Sequence, residues 1–136
     1  MEKSISLLAA KLTKVEGTRN PDFSGKLSMT SNIKIKEIEK HKAPAAKNEA
    51  LKVSYVFTID YSDLGKVEIE GILYLGAENK VIKEILKTYE AKKFDTPELL
   101  TIMNLIVQKA SIRAFEIEEE LQLPIHIKLP SLSAKA

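Results

Sequence analysis

Between Leu51 and Tyr61 the chain switches strictly between two kinds of side chain. Leu51, Val53, Tyr55, Phe57, Ile59 and Tyr61 alternate with Lys52, Ser54, Thr58 and Asp60, Val56 being the exception. A period of two puts the apolar set on one face of a sheet, so this run predicts a strand. Ser62, Asp63 and Gly65 supply a turn, and Val67, Ile69, Leu73 and Leu75 then alternate with Lys66, Glu68 and Glu70, which predicts an antiparallel partner. Upstream, Leu27, Met29, Ile33 and Ile35 keep the same rhythm until Ile38, where the apolar position slips by one and predicts a bulge near Lys36 or Glu37. The first segment reads two ways: Ile5, Leu8, Leu12 and Val15 fit a helical stripe, while Leu8, Ala10 and Leu12 fit a strand. Arg19 to Gly25 and His41 to Ala50 carry Pro, Asn, Asp, Gly or small polar residues, and both read as exposed loops.

Beyond Gly76 the period changes to that of a helix. Val81, Ile82, Ile85, Leu86 and Tyr89 share one face, with Asn79 as the expected cap. A second helix is expected to start at Thr96 as cap with Pro97 at the first helical position, where a missing N–H costs nothing. At about 100° per residue, Leu99, Ile102, Met103, Ile106, Val107, Ala110, Ala114, Ile117 and Leu121 form one wide stripe for the core. Leu105, Ile112 and Phe115 fall outside it, on the far side, and form a candidate oligomer or partner face. Each would gain roughly 1.5 to 3 kcal/mol from burial. The final segment, residues 121–136, is an extended apolar tail containing Leu123, Ile125, Ile127 and Leu129 around Pro124 and Pro130. Two alternatives stand for it: an extended clip packed on sheet and helices, or a border of a binding groove.

The pattern therefore describes a single α+β domain over residues 1–136, and composition narrows what it does. A chain of 136 residues buries about two-thirds of its unfolded surface without a disulfide or metal. The absence of cysteine removes thiol catalysis and thiolate zinc sites and fits a reducing compartment, so a cytoplasmic location is expected. Lys11 and Lys14 interrupt the N-terminal apolar run, which reads as neither signal peptide nor anchor. A net charge of +2 made of dense mixed signs does not favour nucleic acid. Cations are nearly all lysine and glutamate far exceeds aspartate, the bias of heat-adapted, thermophile proteins.

Candidate chemistry is sparse. There is no GxGxxG, P-loop, HExxH or nucleophile elbow. In the run Glu116, Glu118, Glu119, Glu120, only Glu116 neighbours Glu119 or Glu120 at helical spacing and no histidine lies close in sequence, so no metal or other cofactor is expected. Lys34, Lys36, Lys40, His41 and Lys42 are interleaved with Glu37 and Glu39 and read as a solvated strand end. His126 has no matching acid or nucleophile in a recognisable motif. Enzymatic activity is not expected.

Four segments carry a family resemblance: LTKVEGTRNPDF at the end of the first segment, the strand LSMTSNIKIKEI, the hairpin ending in VEIEGILYLG, and the last helix running into LPIHIKLP. Their order resembles the SecB family of export chaperones, including its archaeal SecB-like members, over most of the chain as far as Pro130. Gly71 with Ile72 and Leu73 resembles the glycine and apolar pair closing that family's fourth strand. The resemblance implies that the first segment is a strand, in a four-stranded antiparallel sheet with both helices on one face. It also implies a non-enzymatic homo-oligomer, dimer or tetramer, that holds unfolded or extended apolar polypeptide clients, with no nucleic acid and no membrane insertion. Leu105, Ile112 and Phe115 would then serve assembly, and Leu123, Ile125, Ile127 and Leu129 would border the client groove. Bacterial members pass clients to an export motor through an acidic surface, whereas here Lys52 and Lys66 stand among Asp60, Glu68 and Glu70. No motor-binding residue carries over; a link to protein export and transport stays open, and if the lysine-rich composition reflects an archaeal source, general holding is expected rather than delivery for secretion. A different class remains open, an adaptor or scaffold that binds one specific folded partner through the outer face of the last helix.

Overall fold

The computed structural model describes residues 5–42 and 50–126. Four strands, β1 (Ser6–Arg19), β2 (Thr30–His41), β3 (Ala50–Asp60) and β4 (Gly65–Gly76), precede two helices, α1 (Asn79–Glu90) and α2 (Pro97–Leu121). The sheet is antiparallel throughout in the order β1-β4-β3-β2. β2, β3 and β4 therefore form a meander, while β1 sits at the opposite edge from β2. Residues 20–29 join these two edge strands across the end of the sheet. Asn20 N–H donates to the Leu64 carbonyl at 2.7 Å, and the hydroxyls of Ser28 and Ser62 meet at 2.5 Å, so the crossover is tied to the β3–β4 turn.

Period-two alternation in β3 and β4 does what the sequence predicts. Leu51, Val53, Tyr55, Phe57, Ile59, Val67, Ile69, Leu73 and Leu75 are all buried beneath the helices. Their register pairs Phe57 with Ile69 and Val53 with Leu73. The bulge expected near Lys36 or Glu37 is present as a register shift between Ile35 and Glu37. It returns Ile38 to the buried face. The opposite face carries ion pairs: Lys14 to Glu68 at 2.5 Å, Lys36 to Glu70 at 3.1 Å and Lys66 to Glu68 at 3.6 Å. The Lys14 hydrogen bond holds the Glu68 carboxyl below its usual range.

Some boundaries differ from the sequence reading. β2 begins at Thr30, so Leu27 and Met29 precede it and are exposed. The N-cap of α1 is Glu78, with no side-chain capping bond, and Asn79 is already inside the helix. Thr96 does cap α2, its hydroxyl accepting from Leu99 N–H with Pro97 at the first turn. In the α2 stripe, Leu99, Ile102, Ile106, Ala110, Ala114 and Ile117 are buried, but Val107 is 36% exposed because it lies at the stripe's edge beside β2. α2 ends at Gln122 in the left-handed conformation, φ 56°. There Arg19 Nη1 donates to the Gln122 carbonyl at 2.6 Å, joining the end of β1 to the end of α2. None of the described helices is long and apolar enough to cross a membrane.

Candidate functional site

The helices do not cover the inner sheet face evenly. α1 lies over the second half of β2, where Tyr89 donates to the Lys36 carbonyl at 3.1 Å and Ile38 is buried. α2 lies mainly over β4 and β1. The first half of β2 is left between them, and there Ile33 and Ile35 are only half-buried. The result is a groove of about 370 Å³, floored by Ser31, Asn32 and Ile33 of β2 with Phe57 of β3, and walled by Met103, Val107 and Ser111 of α2 and by His126. β2 is an edge strand of the sheet, and among the described residues no further strand pairs with its outer backbone.

The chain closes this site by turning back after α2. Leu123 N–H bonds to the Glu118 carbonyl at 2.8 Å and the Leu123 side chain is buried in the core. Three residues on, His126 meets α2 again. Its Nδ1 lies 2.6 Å from Glu118 Oε1, and its backbone N–H donates to the same oxygen at 3.3 Å. Glu118 Oε2 accepts from the Tyr61 hydroxyl at the end of β3. Glu118 is fully buried. His126, which has no matching acid in a recognisable sequence motif, thus has one in space, and Glu118 is set apart from the rest of the Glu116–Glu120 run by its burial. Burial, and then the bond to Glu118, push the Tyr61 hydroxyl well above its ordinary pKa, so it remains a donor through the neutral range. The signal was present: Val107, Ser111 and Glu118 lie on one side of the helix at 100° per residue, next to the core stripe. A glutamate in that row needs donors.

The His126 ring packs against Phe57 with centroids 5.8 Å apart, and its Nε2 is buried without a hydrogen-bond partner. Ser111 lines the same groove, yet it is not bonded to that nitrogen, so no serine–histidine relay is joined. No group of three or more acidic or histidine side chains that could hold a metal ion occurs among the described residues. A second hollow, of about 410 Å³, lies at the crossover between Arg19, Asn20 and Asp60 to Lys66. Its polar groups largely satisfy one another, as in the Ser62 N–H bond to Asp60 Oδ1 at 2.8 Å.

The residues singled out from the sequence are distributed unevenly. Ile112 stands 64% exposed, Leu105 is half-buried against the core, and Phe115 is half-buried. Leu123 is core and Ile125 half-buried, so the tail is packed at least that far, while Ile127 and Leu129 lie outside the described residues.

No protein-family model matches the chain, and no curated protein matches it. Among solved structures it is similar to the Mycobacterium tuberculosis Rv1957 SecB-like chaperone in complex with a ChAD peptide from the Rv1956 HigA1 antitoxin. That likeness has 14% identity and a TM-score of 0.47, and covers 97% of this chain and 93% of that one.

Proposed function

We propose that this protein is a non-enzymatic holding chaperone that takes extended apolar segments of non-native polypeptides into the groove between α2 and β2. The observation that carries this reading is the groove itself. Ile33, Phe57, Met103 and Val107 offer apolar lining beside a sheet edge that carries no further strand among the described residues, which is what an extended chain with side chains and backbone to satisfy requires. Met103 adds adaptability, because an unbranched thioether side chain repacks around differing guests. Clients are held in the cytoplasm and released without chemistry. Several copies, assembled through Leu105, Ile112 and Phe115, would add weak contacts by effective concentration.

The direct test dilutes a guanidinium-denatured, unrelated enzyme into buffer with and without the protein. Suppression of light scattering near one groove per client is expected, together with loss of suppression in Val107→Glu that melts as wild type does. Aggregation unaffected by excess wild-type protein would end the proposal.

The adaptor reading rests on a different observation, Ile112 standing in solvent at 64% exposure on the outer side of α2. It expects Ile112→Glu to abolish binding to one folded partner while client protection is absent from the start.

A further inference from the structure

One polar atom in the groove wall has no assigned use. The His126 side chain is only 7% exposed, its Nε2 has no hydrogen-bond partner, and the residue lines the α2–β2 groove. A buried nitrogen left in that condition is destabilising, and proteins ordinarily pair such atoms. Its state is set from the other side of the ring. Glu118 Oε1 is 2.6 Å from Nδ1, and Glu118 also receives the Tyr61 hydroxyl and the His126 backbone N–H, so the carboxylate acts as an acceptor and the ring proton sits on Nδ1. In its neutral form the ring then has its lone pair at Nε2, with its orientation fixed by Glu118 and by packing on Phe57.

We propose that His126 Nε2 is a preset acceptor for one backbone N–H of an extended polypeptide lying in this groove, with Glu118 as its positioning residue. The inference rests on the holding function proposed above and deepens it, because it makes the groove read main chain as well as grease. A main-chain N–H occurs in every client, so an acceptor at this point binds without selecting sequence. Nε2 is shut off from bulk water in the free protein, and the half-buried Met103, an unbranched side chain lining the same groove, is suited to repack as the guest enters. Ser31, Asn32 and Ser111 supply further polar groups around it.

The test uses the full chain with ring-15N histidine and the probe acetyl-Leu-Thr-Val-Thr-Leu-amide, together with its versions methylated at one backbone nitrogen at a time. The protein has two histidines, so His41→Gln leaves a single ring to observe. Addition of the probe is expected to shift the Nε2 resonance. One methylated version is expected to bind about tenfold more weakly than the parent, the size of one lost hydrogen bond. That position effect should vanish in His126→Phe and survive in His126→Gln, whose amide oxygen still accepts. Because the methylation series is read on protein with His126 intact, poor folding of a variant leaves the answer unaffected. Binding with Nε2 unmoved and all methylated versions equal overturns the inference and leaves the holding function standing. Failure of the probe to bind while denatured clients are still held has the same meaning. Failure of both removes the two together.

Discussion

Tyr61, Glu118 and His126 show how much a single buried carboxylate asks of its surroundings. Tyr61→Phe deletes one of its donors and is expected to cost about 1–3 kcal/mol in urea unfolding, since the acceptor stays buried. The same tyrosine gives a pH signature. Its folded-state pKa is raised, mainly by burial, above the ordinary value of 10.0, so the unfolded chain releases this proton first as pH rises. The stability it contributes is whole below about pH 10 and falls above it. Tyr55, also buried and raised, acts in the same direction. Tyr61→Phe should therefore flatten the alkaline decline in melting temperature. At Gly71, an added Cβ would press on the Tyr55 hydroxyl and lie 2.7 Å from the Lys11 carbonyl oxygen. At Gly17 it would meet only the Ile117 and Leu121 side chains, at 2.5 and 2.8 Å. Gly71→Ala should cost about 3 kcal/mol and Gly17→Ala nearer 1, because backbone cannot rotate away. Gly71, which the family resemblance puts at the close of the fourth strand, lies inside β4, which runs on to Gly76. Nothing local in the sequence brings His126 to Glu118, because their meeting depends on Gln122 reversing the chain.

Among the elements, capping separates the two helices. Thr96→Ala removes a bond to the Leu99 N–H and is expected to lower stability by about 1 kcal/mol, whereas Asn79→Ala, at a position that caps nothing, should change it by a few tenths. Gln122→Gly should raise stability by up to about 1 kcal/mol by relieving the left-handed backbone while keeping the carbonyl that Arg19 binds. β3 and β4 were legible as elements because each is covered on one face and charged on the other, which writes a clean alternation. β1 was not, since an edge strand that the helices only partly cover keeps Leu8 and Leu12 exposed and needs no strict pattern. The groove was illegible for a related reason. It arises where two helices fail to meet over β2, and periodicity within a segment carries no information about such gaps.

For the whole molecule, the exposed Ile112 and the half-buried Leu105 define the test of assembly. Ile112→Glu should leave the monomer's own stability within about 0.5 kcal/mol, because the side chain is already in water. A fall in solution mass by sedimentation with unchanged melting of the monomer is the expected outcome, and unchanged mass would remove this surface from assembly. The sheet order has a further consequence for how the chain is made. β1 leaves the ribosome before the other strands, yet among the described residues its strand partner is β4, which ends at Gly76. The meander of β2, β3 and β4 joins strands that follow one another in sequence, while β1 waits, unpaired, until β4 has appeared. A protein proposed to shelter unfinished chains thus passes through a stage in which its own leading strand is one, and its completion is the docking of that strand onto an edge already formed.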